Sequence, residues 1–287
     1  MGGGSAADAG LAGKAVIVTG AASGMGAAMA RALVARGALV AGVDVNAAGL
    51  AALQGELAKG PGRFLPLTAD AGRLPACEAA VVATLDAFGR LDALVNNAGV
   101  GMTAARPKAH KGPLRFWEAE PDGWLRIMAT NCNAAYFMAR TATPHLLKAG
   151  RGRIVNVTTN MQTMLKEGRC AYGPSKAAFE AGSAIWAKEL QGSGVTVNVL
   201  IPGGQTNTNI FPAELSRDGM LHADIMVPPL LWLLSNASDD TNGWRFAAED
   251  WNDALPPGEA ALAARMPAAW PDYTGRPASA AMAALSD

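Results

Sequence analysis

The first β-branched apolar run of the chain, Ala15–Thr19, breaks off into Gly20-Ala21-Ala22-Ser23-Gly24-Met25-Gly26 and then into an Ala-rich helical stretch over residues 25–36. A buried strand, a glycine loop and a helix in that order restrict the fold more than any other feature. Glycines let the backbone turn sharply and let another backbone, or a pyrophosphate, come close where a Cβ would intrude. The helix start then presents free N–H groups and the positive end of the helix dipole. In this context the loop reads as a dinucleotide cradle; the plainer reading is a tight turn packing helix on strand.

The remaining pattern repeats the theme. Short apolar runs at 39–43, 64–67, 93–96, 153–158, 195–200 and 244–247 read as strands. Helical stretches lie between them at 50–59, 75–88, 121–149, 171–191 and 228–234. Continuous apolar strands separated by helices imply a parallel sheet covered on both faces. Right-handed crossovers then give an α/β fold, a single doubly wound Rossmann domain of about seven strands with helices on both faces. The expected domain is 13–250, after a flexible leader at 1–12 and before a C-terminal extension at 251–287. That extension is rich in Ala and Pro, with Trp251, Trp270 and Tyr273, and reads as an ordered arm on a neighbour or a loosely held tail. Residues 100–120 read as a long polar loop.

Composition removes several function classes. Lys+Arg and Asp+Glu both number 24, and no basic run stands out, which argues against nucleic acid or an acidic membrane as partner. No run of 18 apolar residues is present, so nothing is expected to span a membrane. Cys77, Cys132 and Cys170 are odd in number and not spaced as ligands, consistent with reduced thiols in a cytoplasmic protein; no metal site is expected, and His110, His145 and His222 are scattered. The start has neither a basic n-region nor an apolar h-region, so it does not read as a signal peptide.

Tyr172 and Lys176 lie four residues apart, on one face of the expected helix. An ammonium beside a phenol favours phenolate, so the Tyr172 pKa is expected to fall and the phenol to trade a proton with a substrate oxygen. Asp44 closes the second strand, where a carboxylate accepts both ribose hydroxyls of adenosine and repels a 2′-phosphate. No Arg or Lys stands nearby, which favours NAD over NADP. Asp70 reads either as a partner of the adenine amine or as a plain loop aspartate. Asn96-Asn97-Ala98-Gly99 follows the fourth strand with small residues over which a cofactor can lie.

Together, Thr19-Gly20-x-x-x-Gly24-x-Gly26, Asn96-Asn97-Ala98-Gly99, Tyr172-x-x-x-Lys176 and Pro202-Gly203 resemble the short-chain dehydrogenase/reductase family in its single-domain form, from about Lys14 to Ala248. The resemblance implies a nicotinamide cofactor, hydride exchange between a secondary alcohol and a ketone, and dimers or tetramers built through the long central helices. It assigns Tyr172 as acid/base, Lys176 as the residue tuning it and bonding the nicotinamide ribose, and Asn131 as the residue holding a relay water, with Asn133 two positions on as the alternative. The position that holds serine in most relatives is Thr159, whose extra methyl stiffens χ1 and narrows the pocket. The implied cofactor contacts are Gly20, Ser23, Gly24, Met25, Gly26, Asp44, Asp70, Asn97, Ala98, Gly99, Tyr172, Lys176, Pro202, Gly203 and Thr206. Five residues past Pro202, where the family carries threonine, this chain has Asn207, so Thr206 or Thr208 would meet the carboxamide. Asn160, Met161, Gln162, Met164, Gly204, Gln205 and residues 210–220 would line the substrate side. Lys166, Arg169 and the basic 106–111 loop read first as solvated charges and second as contacts for an acidic substrate. A dinucleotide-binding protein without turnover is the rival reading.

Overall fold

The computed structural model describes residues 10–106, 112–211 and 214–270. The leader up to residue 9, the basic stretch 107–111 with His110, and the tail from 271 with Tyr273 lie outside the described residues.

Four strand–helix alternations and a fifth strand open the fold: β1 (Ala15–Thr19), α1 (Gly24–Val34), β2 (Leu39–Asp44), α2 (Ala47–Leu57), β3 (Arg63–Thr68), α3 (Leu74–Phe88), β4 (Ala93–Asn96), α4 (Pro121–Met128), α5 (Ala134–Lys148) and β5 (Gly152–Val157). A short α6 (Met161–Met164), α7 (Tyr172–Glu189), β6 (Val195–Ile201), α8 (Val227–Leu234), β7 (Trp244–Ala247), α9 (Pro257–Ala264) and β8 (Arg265–Pro267) complete it. The sheet runs β3-β2-β1-β4-β5-β6-β7-β8. The order reverses direction between β1 and β4, which places a crevice at the C-terminal ends of those strands. Seven strands are parallel, as the alternation predicts; β8 adds an eighth that pairs antiparallel with β7. Both outermost strands carry a proline, Pro66 in β3 and Pro267 in β8. Residues 265–267, inside the stretch read as an extension, thus join this chain's own sheet, and Trp251 packs on the core.

Two apolar layers sandwich the sheet. On one face α1 and α8 bury Met29, Leu33, Leu230 and Leu233 against Val16, Val18 and Val40. On the other, α3 and α5 bury Val81, Met138 and Leu146 against Ile17, Leu94 and Ile154. Each such side chain contributes about 1.5–3 kcal/mol when removed from water. The helices stop where their sequences say so: α3 ends at Gly89, whose φ of +72° lets its N–H return to the Leu85 carbonyl at 2.7 Å.

The middle strands are less apolar than their sequences suggest. Asn96 on β4 donates to Asn156 on β5 at 3.0 Å, and Asn156 donates to Ser183 on α7 at 2.8 Å. A second buried polar link runs further back. Glu180 on α7, fully buried, accepts from Arg245 on β7 at 2.8 Å and from Thr158 at 2.8 Å. The expected helix over 121–149 is interrupted by a π-helical turn at Ala129–Asn133, a feature that accumulates at functional sites. The 100–120 loop is anchored by an apolar plug in which Met102, Ala105 and Leu114 meet Ile127 and Ala171.

Candidate active site

The crevice at the strand ends opens into a cavity of about 720 Å³. Its floor near β1 is made by backbone. Gly20 has φ +67°, and a Cβ on it would come within 2.9 Å of the Ala98 Cα. A Cβ on Gly26 would fall on the Gly20 carbonyl oxygen. The Gly20 N–H instead donates to the Val43 carbonyl at 2.8 Å, which binds the loop to β2. Ser23 begins α1 with no side-chain cap, so the first-turn N–H groups of the helix are left for a ligand. A cradle too tight for any side chain, ending in uncapped helix N–H groups, fits a pyrophosphate.

Thr19 opens the glycine motif but was given no site role in the sequence, yet it ties the loop together. Its hydroxyl accepts from the Asn97 and Ala98 N–H groups, both at 3.0 Å, while the Asn97 amide donates to the Thr19 carbonyl at 2.9 Å. A hydroxyl closing an otherwise apolar strand was the available signal. Asp44 lines the cavity at the end of β2 and accepts from the Ala22 N–H at 3.0 Å and the Asn46 N–H at 2.9 Å. Asp70 also lines it, folded onto the Gly72 N–H at 2.9 Å. Ser23, Met25, Asn97, Ala98, Gly99 and Pro202 line the same space. Gly24, Gly26 and Gly203 lie outside the wall and act through the turns they permit. Gly203, at φ +96°, leaves no room for a Cβ beside Glu249.

Thr159, Tyr172 and Lys176 line the same cavity. Thr159 follows β5 and shares the cavity with the Tyr172 phenol, which opens the first turn of α7. Lys176, one turn on and 3% exposed, donates to the Val157 carbonyl at 2.9 Å. Asn131 lies behind the wall on the π-helical turn, fully buried. It accepts from the Val100 N–H at 2.7 Å and donates to the Val100 carbonyl at 3.0 Å and to the Ser175 hydroxyl at 3.2 Å. Asn133 is exposed, so of the two candidates Asn131 joins the cluster.

Thr206 and Thr208 both line the cavity and Asn207 does not. Thr206 is buried, with its hydroxyl on the Gly204 carbonyl at 3.3 Å; the Thr208 side chain lies where a Cβ on Gly24 would come within 3.0 Å.

The electrostatics correct one expectation. The Tyr172 phenol is raised above its ordinary value, chiefly by burial, against smaller downward pulls from Arg169 and the Thr159 hydrogen bond. Burial lowers Lys176 to about 8, slightly opposed by the Cys132 thiol.

Comparison with known proteins agrees with the geometry. The short chain dehydrogenase family model matches residues 14–218. The chain is 36% identical over 192 residues to a D-threitol dehydrogenase of Mycolicibacterium smegmatis, covering 67% of this chain and 70% of that protein. It is 32% identical over 240 residues to the 2,5-dichloro-2,5-cyclohexadiene-1,4-diol dehydrogenase LinX of Sphingobium indicum, covering 84% and 90%. Among solved structures, the NADH complex of 3-ketoacyl-(acyl-carrier-protein) reductase from Brucella melitensis superposes with TM-score 0.71 at 28% identity, covering 81% of this chain and 95% of that one. These relatives act on alcohols or ketones. With its glycine cradle, its Tyr172–Lys176 helix and a family match over most of its length, the chain belongs to the short-chain dehydrogenase/reductase family of oxidoreductases.

Proposed function

We propose that the chain interconverts a secondary alcohol and a ketone with NAD(H), using Tyr172 as general acid/base. One observation carries the reading: the Tyr172 phenol and Thr159 hydroxyl share a single cavity with Asp44 and the glycine cradle. The dinucleotide, when bound, supplies or accepts the hydride. Gly20, Gly24 and Gly26 leave room for its phosphates, Asp44 favours a free 2′-hydroxyl, and Asn97, Ala98, Gly99, Pro202, Gly203 and Thr206 shape the rest of its bed. No Arg or Lys occupies 20–23 or 45–48 to meet a 2′-phosphate, which supports NAD over NADP.

Thr159 holds the substrate oxygen against the phenol. Tyr172 donates its proton to that oxygen in reduction and takes it back in oxidation. Lys176 stabilises the phenolate that results, and Asn131 fixes the 100–131 contact behind it so that the proton path keeps its shape. The Thr159 methyl restricts the bound alcohol to fewer orientations than a serine would.

Replacing Tyr172 by Phe removes the proton donor and leaves the cradle intact. Turnover on a panel of alcohols and ketones, followed at the NADH absorbance, falls by about 10²–10⁴ while NADH affinity measured by fluorescence titration is kept. Full activity in Tyr172→Phe would overturn the assignment. NADH binding with no turnover across the panel in the parent chain would point to the non-catalytic binding protein instead.

Large apolar side chains stand exposed on three helices: Leu125 on α4, Tyr136 on α5 and Ile185 on α7. They support association into a homodimer or homotetramer, which light scattering would test. Three unpaired cysteines support a cytoplasmic setting.

A further inference from the structure

Charge is unevenly distributed round the cavity. Its only carboxylates among the described residues, Asp44 and Asp70, sit at or just past the ends of β2 and β3. The other charged groups that line it are cations: exposed Arg126 on α4, Lys176 on α7, and, between α6 and α7, exposed Lys166 and half-buried Arg169. The neighbouring acid is already engaged: Glu167 accepts from Arg115 at 2.6 Å. Neither Lys166 nor Arg169 forms an ion pair among the described residues.

Arg169 is not a swinging surface residue. It is half-buried, its backbone bridges to Leu114, and its carbonyl accepts the Gly173 N–H at 2.8 Å on the first turn of α7. Its side chain lines the same cavity as the Tyr172 phenol. The polar side chain between them and β5, Asn160, is committed on both sides: its amide donates to the Gly203 carbonyl at 2.8 Å and its oxygen accepts from the Thr163 N–H at 2.8 Å. The charged donors between α6 and α7 are thus Lys166 and Arg169, set among neutral donors from Thr163, Gln205 and Asn209 in the same lining. A half-buried guanidinium with no anion beside it is uncomfortable, and its planar fork matches a carboxylate with two parallel hydrogen bonds.

We infer that Lys166 and Arg169 form an anion subsite, and that the alcohol or ketone turned over is a small hydroxy or oxo acid whose carboxylate docks there. The inference deepens the oxidoreductase reading and rests on it for the reacting end of the substrate. The anion-binding half stands on its own.

Two measurements separate the two. In the first, the full-length chain, with and without NADH, is titrated calorimetrically with butyrate and with butyramide, its neutral isostere. Butyrate should bind at least about tenfold more tightly, as expected for a charge-assisted pair. The preference should collapse in the Lys166→Gln/Arg169→Gln double variant and survive in part in Arg169→Lys, which keeps the charge and loses the fork. In the second, kcat/KM is compared for 3-hydroxybutyrate and 3-hydroxybutyramide with NAD. Equal binding of acid and amide, or a preference that persists in the double variant, overturns the subsite even if alcohols are turned over. A preference that depends on both cations in a chain that turns over nothing keeps the subsite and overturns the reaction instead.

Discussion

The two walls of the cavity are built by different means. Beneath β1, β2 and β4 the wall is backbone: glycines without side chains, N–H groups aimed at carbonyls, and Thr19 and Asn97 stitching neighbouring loops. Around β5 and α7 it is made of side chains brought together from distant parts of the chain. Thr158 reaches Glu180 across 22 residues and Glu180 reaches Arg245 across 65, while the backbone N–H of Ala269 also donates to Glu180. The first wall depends on atoms being absent, and the second on particular partners being present. Substitutions should fail differently in each.

The largest effect is expected at Glu180. Truncation to Ala leaves the Arg245 guanidinium buried without its partner and frees Thr158, the neighbour of Thr159. Such a loss costs about 3–5 kcal/mol, read as a shift in the urea midpoint. Replacing Glu180 and Arg245 together by Met should recover most of it, because an apolar pair leaves no buried charge unmatched. A cost below about 1 kcal/mol for Glu180→Ala would show that this wall does not depend on the pair.

Gly26→Ala tests the backbone wall. The added methyl meets the Gly20 carbonyl, so the loop must shift; overpacking of this kind costs about 1–3 kcal/mol. Because the strain sits in the cradle, NADH affinity should fall more than the unfolding midpoint. Unchanged NADH affinity would remove the cradle from the dinucleotide site.

The smallest effect sharpens the view of where the two walls meet. The Tyr172 phenol lies above the ordinary phenol value near 10 because burial disfavours its charged form. At neutral pH it therefore keeps its proton and is ready to donate it. Ketone reduction should hold steady through neutral pH and weaken only in alkali. Alcohol oxidation needs the phenolate and should still be climbing at pH 9. Lys176, at about 8, is mostly ammonium at pH 7 and loses its charge over the same alkaline range, which limits the climb. An oxidation profile that levels off near pH 7 would mean that the phenol is acidified by a neighbour after all.

What could be read from the sequence follows the same division. The glycine spacing, the alternation of apolar strands and helices, and Tyr172 with Lys176 are local patterns, set by a backbone turn or one helical repeat. They account for the parallel sheet and for most of the residues brought together in the candidate site. The π-helical turn that swings Asn131 inward could not be read, because residues 121–149 carry an unbroken helical pattern. The short β8 was hidden in an Ala/Pro-rich stretch whose three residues have meaning only against β7. The Tyr172 pKa expectation failed for a physical reason. Spacing along the helix places an amine near a phenol, but the Val157 carbonyl decides where the amine points, and depth in the protein outweighs it. Lys166 and Arg169 read first as solvated charges; that both line the cavity could not be seen in the sequence.

The prolines at either end of the sheet have a consequence for crowded solution. A proline offers no amide hydrogen, so an incoming chain laid along β3 or β8 would lose a rung at Pro66 or Pro267. Both rims are thereby blunted against the edge-to-edge stacking from which cross-β aggregates grow.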